Sequence, residues 1–172
     1  MFIILMGVSG WGKTTVGKKL ANALDLPYYE GDAFHPQENV EKMASGIPLT
    51  DEDRAGWLEK LSELIHARLQ EGASGILSCS ALKEKYREML RVYQDQVRFI
   101  YLKGTYQLIL TRMEDRKGHY MPSDLLKSQF DALEEPENVL TIDIDQSPDA
   151  IVEEALKYLH QIGFTEGHDQ RK

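Results

Sequence analysis

Gly7-Val8-Ser9-Gly10-Trp11-Gly12-Lys13-Thr14 is the stretch on which the fold turns. The spacing Gly-x4-Gly-Lys-Thr follows an apolar run, Phe2-Ile3-Ile4-Leu5-Met6, and opens a stretch in which Val16, Leu20 and Leu24 recur at every fourth residue. Buried strand, glycine loop and helix, in that order, are the context a phosphate-binding loop requires. Glycines permit the backbone angles that turn several N–H groups toward one anion. The helix N-terminus adds its dipole. Lys13 supplies a charge for the β- and γ-phosphates, and the Thr14 hydroxyl is the candidate Mg²⁺ ligand. The candidate ATP-binding residues are therefore Gly7, Val8, Ser9, Gly10, Trp11, Gly12, Lys13, Thr14 and Thr15. Trp11 is unusual among these small residues. The loop needs only that its ring stay clear of the phosphate, so the ring is expected to point outward, toward the nucleotide, a covering segment or a neighbouring helix.

Away from the loop the chain alternates. Apolar runs at 2–6, 28–31, 75–79, 97–102 and 139–144 read as strands, and amphipathic stretches lie between them. Leu58, Leu61, Ile65 and Leu69 keep the spacing of one helix face. Alternating strands and helices predict βαβ units and a mostly parallel sheet. The 172 residues suit a single domain, here 1–164 with a polar tail at 165–172. Two pieces exceed a minimal alternation: an insert at about 35–70, and a basic stretch at 116–122. The composition is that of a soluble globular protein, at 42% hydrophobic and 28% charged. A net charge of −8 argues against a nucleic-acid surface, and no run reaches membrane-span length. The single cysteine, Cys79, excludes an internal disulfide and fits a reducing cytoplasm.

A phosphate loop alone does not separate a kinase from a GTPase switch. The guanine signature Asn-Lys-x-Asp is missing from the sequence. Asp53-Arg54-Ala55-Gly56 matches Asp-x-x-Gly formally, but Thr50 or Asp51 there reads better as a helix cap. Asp143, ending an apolar run, resembles a Walker B carboxylate but falls on the expected last strand. Glu30 and Asp32 carry more information. They lie two apart at the C-terminal end of the second expected strand, where parallel sheets bind ligands. One can hold Mg²⁺ through water, and the other can orient or deprotonate an attacking hydroxyl.

The segments GVSGWGKT, GDAFHPQENVEKMASGIPLTDEDRAGWL, CSALKEKYRE, FIYLKG, RKGHYMP and DIDQSP together resemble the gluconate kinase family, small P-loop kinases related to shikimate and nucleoside monophosphate kinases. The resemblance covers about 2–159. It implies a three-layer α/β/α fold with a five-stranded parallel sheet in the order 2-3-1-4-5, a substrate-binding helical insert and a lid. It implies ATP and Mg²⁺ as cofactors, D-gluconate as acceptor, 6-phospho-D-gluconate as product and a homodimer. Lys13, Asp32 and Arg116 are then the catalytic candidates. Arg112 and Arg116 would contact the nucleotide, the first stacking on adenine and the second reaching the transferring phosphate. Asp32, His35, Arg54, Lys83, Arg87 and His119 would bind the acceptor, with Lys83 and Arg87 expected four apart on one helix face. The loop around 145–148 would border the adenine. Two positions depart from the family pattern: Glu30 stands where aspartate is common, and Trp11 where a small residue is usual. A kinase for another small hydroxy acid such as shikimate or for a nucleotide, and a nucleotide-binding regulatory module without catalysis, remain open at this level.

Overall fold

The computed structural model describes residues 1–92, 95–115 and 123–164. Five strands form one parallel sheet: β1 Phe2–Met6, β2 Tyr28–Glu30, β3 Gly75–Ser78, β4 Val97–Lys103 and β5 Leu140–Asp143. Their order is β2-β3-β1-β4-β5, as the resemblance implied. β1 is central, in register with β3 (Phe2 opposite Gly75) and with β4 (Phe2 opposite Val97). All five of its residues are buried, because a strand covered on both faces reads as an unbroken apolar run. The edge strands β2 and β5 are only partly buried and accordingly less apolar.

Among the described residues seven α-helices connect and cover the sheet: α1 Lys13–Leu24, α2 Gln37–Ala44, α3 Asp51–Gln70, α4 Glu84–Leu90, α5 Tyr106–Asp115, α6 Ser123–Ala132 and α7 Pro148–Gln161. Val16, Leu20 and Leu24 are the buried stripe of α1, which packs beside α7. Leu58, Leu61, Ile65 and Leu69 are that of α3, which packs against α4. The insert is thus two helices, α2 and α3. The second is started by a capping box in which Thr50 Oγ1 accepts from the Asp53 N–H and the Asp53 carboxylate accepts from the Thr50 N–H. That settles the Asp53-x-x-Gly56 motif as a helix start. Asp143 Oδ1 accepts from the Asp145 N–H, closing the turn after β5.

Every parallel strand ends on the same side of the sheet, and the loops after β1, β2 and β3 meet there. The expected lid at 116–122, with Arg116 and His119, and the tail at 165–172 lie outside the described residues.

Candidate active site

The loop between β1 and α1 turns on Gly7, Gly10 and Gly12, at φ of 144°, 85° and 82°. Side chains rarely adopt those angles. Gly12 occupies the N-cap of α1 and no described side chain caps it, so the first-turn amides stay open to an anion. Lys13 Nζ folds back over the loop and donates to the carbonyls of Gly7 (2.8 Å) and Val8 (3.0 Å). Burial lowers its pKa, and the charges of Asp32, Cys79 and Glu30 oppose that shift. Gln129 of α6 clasps the same loop, with Oε1 accepting from the Ser9 N–H at 2.8 Å and Nε2 donating to Ser9 Oγ at 3.1 Å. Nothing in the sequence near Gln129 announces this contact, because the two residues are brought together only by the fold.

Trp11 departs from expectation. Its ring is not outward: it is 1% exposed and wedged into the core. A Cβ on Gly7 would come within 2.4 Å of the indole Cε3, and one on Gly104 within 3.3 Å of the indole nitrogen. Tyr101 of β4 and Phe130 of α6 pack on it, each with its ring centroid 5.7 Å away. Two glycines open a slot, and burial of a large aromatic surface fills it. The ring thereby clears the phosphate nest from the protein side and not the solvent side. Trp11 also borders a cavity of about 230 Å³, with Gly10, Thr15, Val16, Arg112, Gln146 and Pro148. Arg112 is fixed there by donating to the Ile144 carbonyl at 2.6 Å.

A second, narrow cavity of about 40 Å³ lies on the other side of the loop and brings together Ser9, Lys13, Asp32, His35, Arg54, Trp57 and Gln129. Asp32 sits in a 3-10 turn, Gly31–Phe34, directly after β2. That turn is locked in place. Trp57 Nε1 donates to the Gly31 carbonyl at 2.8 Å, and a Cβ on Gly31 would strike the Ser78 carbonyl at 2.2 Å. His35 stacks on Trp57 with 4.1 Å between centroids. Its Nδ1 faces the Asn39 amide at 3.3 Å, while Asn39 donates to the Asp53 carbonyl at 2.7 Å. An amide nitrogen donating to Nδ1 leaves the proton on Nε2, which lies 4.0 Å from Asp32 Oδ1. Burial lowers the His35 pKa; Asp32 opposes this and Arg54 adds to it.

Arg54 and Leu49 also line an adjoining cavity of about 280 Å³ with Thr50, Asp51 and Lys83. Asp51 gathers the cations here. It accepts from Lys83 at 2.9 Å, from Lys85 at 2.5 Å and from the Tyr86 hydroxyl. These donors, Lys85 foremost, hold its carboxyl far below the usual range. Arg54 donates to Tyr86 at 3.3 Å. Lys83 is the N-cap of α4 and not a residue on its face.

Arg87 does not join this group. It is 1% exposed, donates to the carbonyls of Ala81 and Leu82 at 2.9 and 3.2 Å, and pairs with Glu84 at 2.7 Å. Its work is to hold the loop after β3, where Ala81 takes φ of 43°. The expected shared face with Lys83 fails because the helix begins one residue too late. Arg87 borders instead a larger cavity, about 640 Å³, lined by Glu84, Arg91 and residues at the starts of β4 and β5, remote from the phosphate loop. Size alone does not mark the chemistry.

At the back of the loop, Glu30 accepts from Thr14 Oγ1 at 2.7 Å. Burial alone would raise its pKa, but the hydroxyls of Ser78, Thr14 and Tyr28 and the charge of Lys13 bring it below the ordinary value. A hydroxyl that gives its proton to a carboxylate keeps lone pairs for a hard cation, so Thr14 and Glu30 fit Mg²⁺.

An anion nest after the central strand of a parallel sheet ordered β2-β3-β1-β4-β5, with a carboxylate behind it and cavities beside it, is the arrangement of the P-loop kinases. The family model described as Shikimate kinase matches residues 9–160. The thermosensitive gluconokinase of Escherichia coli is 47% identical over 146 residues, covering 83% of this chain and 78% of that protein. The thermoresistant gluconokinase of the same organism is 41% identical over 160 residues, covering 91% of each. A gluconokinase crystal structure from Sinorhizobium meliloti superposes with a TM-score of 0.86 at 43% identity, covering 93% of this chain and 91% of that one. The chain belongs to the gluconokinase family, within the shikimate kinase group of P-loop kinases.

Proposed function

We propose that this chain transfers the γ-phosphoryl group of ATP to a hydroxyl of D-gluconate, giving ADP and 6-phospho-D-gluconate. The observation that carries the reading is one cavity in which Lys13 of the phosphate loop, Asp32 after β2 and Arg54 of the insert meet. The attacking hydroxyl oxygen bonds to the γ-phosphorus, the bond to the β,γ-bridging oxygen breaks, and Asp32 takes the hydroxyl proton. Lys13 swings from the loop carbonyls to the phosphates. Arg54, with Lys83, receives the acceptor carboxylate, and neutral His35 donates from Nε2 to an acceptor hydroxyl. The loop amides hold the phosphates, and the cavity beside Arg112, Gln146 and Pro148 takes the base. Arg116 and His119 keep the roles the family resemblance gives them. Mg²⁺ would be held by Thr14 and would supply neutralisation of the phosphate charge. A homodimer in the cytoplasm belongs to the same reading, on the resemblance and on the single cysteine.

The test is ADP release from Mg-ATP with D-gluconate, other aldonates, shikimate, nucleoside monophosphates or no acceptor. Turnover with gluconate, lost in Lys13→Ala and reduced about 10²–10⁴-fold in Asp32→Asn, is the expected result. Turnover with shikimate alone would overturn the acceptor while keeping the phosphate chemistry. ATP binding with no acceptor-dependent turnover would leave a regulatory module.

A further inference from the structure

Three hydroxyls converge on one carboxylate behind the phosphate loop. Glu30 Oε2 accepts from Thr14 Oγ1 and from the Tyr28 hydroxyl, each at 2.7 Å. Glu30 Oε1 accepts from Ser78 Oγ at 2.5 Å, and the Tyr28 and Ser78 oxygens lie 2.8 Å apart. The sheet itself builds this seat. Tyr28 and Glu30 are two apart on β2 and so share a face, and Ser78 pairs with Glu30 in the β2–β3 register. Ser78 is buried, at 1% exposure.

The proton count gives the arrangement a direction. Each hydroxyl has one proton, and an ionised carboxylate has none to give. The Thr14 proton therefore goes to Glu30, and the Thr14 lone pairs turn to the open side of the loop. A threonine hydroxyl without that acceptor rotates and can present its proton to a cation. Glutamate has one more rotatable bond than aspartate, so an unrestrained Glu30 would hold Thr14 loosely. Tyr28 and Ser78, gripping both oxygens, remove that freedom.

We propose that Tyr28 and Ser78 are positioning residues for the divalent cation of the nucleotide complex: they lock Glu30 as the acceptor of the Thr14 proton and so keep the Thr14 lone pairs aimed at the metal. The inference rests on the nucleotide-binding reading above and adds residues that reading does not use.

The experiment is binding of a fluorescent ADP analogue to the full chain, without acceptor, titrated with MgCl₂ and repeated in EDTA. Tyr28→Phe, Ser78→Val and the double variant are compared with Ser78→Thr, which matches valine in shape but keeps the hydroxyl. Thermal unfolding is recorded for each. Affinity in EDTA is expected to be unchanged. The Mg²⁺ concentration at half-effect is expected to rise about tenfold in the double variant, the size usual for an outer partner of a metal ligand. Ser78→Thr is expected to stay near the parent midpoint while Ser78→Val shifts. An unshifted midpoint in folded variants would overturn the proposal. So would an equal loss of affinity with and without Mg²⁺, which would make the network a support of the loop alone. Failure of the parent chain to bind any nucleotide would instead bring down the underlying reading, and with it this one.

Discussion

At the scale of single residues, the site works by fixing which atom of each side chain faces the cavity. His35 is the clearest case. Asn39 takes one ring nitrogen, Trp57 covers one ring face, and Nε2 is what remains for Asp32 or an acceptor hydroxyl. Its pKa is lowered, chiefly by burial, so the unfolded chain takes up a proton near pH 6.5 before the folded protein does. The sign follows from proton linkage: the contribution of neutral His35 is complete above about pH 6.5 and is lost as the pH falls below it. The stability advantage of the parent chain over His35→Gln, measured by urea unfolding, is therefore expected to be larger at pH 7.5 than at pH 5. A difference that stays constant or grows on acidification would mean the imidazole is already charged in the fold. Burial works the other way on Cys79, whose thiol is pushed up to about 12, leaving it inert beside Lys13.

At the scale of elements, the phosphate loop is held from behind by aromatic packing and from the side by α6. Trp11 links the loop to β4 through Tyr101 and to α6 through Phe130, while Gln129 of the same helix bonds Ser9. Truncating a buried tryptophan costs about 3–5 kcal/mol. For a domain of this length that lowers Tm by about 6–20 °C, and Trp11→Ala is expected to show it in a thermal melt. A drop of only a degree or two would return the ring to the surface role its sequence position suggests. Gly31→Ala is expected to lower both stability and turnover, because its Cβ meets the Ser78 backbone and must displace the turn that carries Asp32. A variant with parent-like melting and parent-like kcat would show that the turn tolerates the shift. These elements also mark the limits of the sequence. The five strands, the loop, a helix cap at Thr50 or Asp51 and the turning of Asp32 toward the cleft were legible, since each rests on local spacing or on strand-end logic. The inward turn of Trp11 was not, because the slot it fills is made by Gly104 and Phe130, far along the chain. The burial of Arg87 was equally hidden: on a helix face, an arginine that supports the preceding loop and one that binds a ligand have the same spacing. Gln129, Tyr28 and Ser78 escaped notice because their partners are defined by packing and by strand register.

At the scale of the whole molecule, an acidic chain of net charge −8 places Arg54 and Lys83 in one cavity, with Lys85 paired to the Asp51 that lines it, so an anionic acceptor on that side meets local positive charge in a protein that otherwise repels it. On the proposed reading nucleotide and acceptor approach the loop from opposite sides, and each side carries its own tryptophan. Trp11 borders the cavity of Arg112 and Pro148, and Trp57 lies under His35 in the cavity of Asp32 and Arg54. The cavity proposed for the acceptor, about 40 Å³, is far below the roughly 300 Å³ from which ligand pockets begin. A hexonate must therefore extend into the adjoining space past Arg54, or α2 and the start of α3 must shift to admit it. Either way the acceptor lies against the stack of His35 on Trp57, which lines its cavity, and away from Trp11, which does not. The two fluorescence signals should then separate. In Trp11→Phe, D-gluconate is expected still to change the emission, which comes from Trp57 alone, while the response to Mg-ADP falls away. In Trp57→Phe the pattern is expected to invert. A gluconate response that survives in Trp57→Phe and vanishes in Trp11→Phe would put the acceptor on the Arg112 side of the loop and would reverse the assignment of the two cavities.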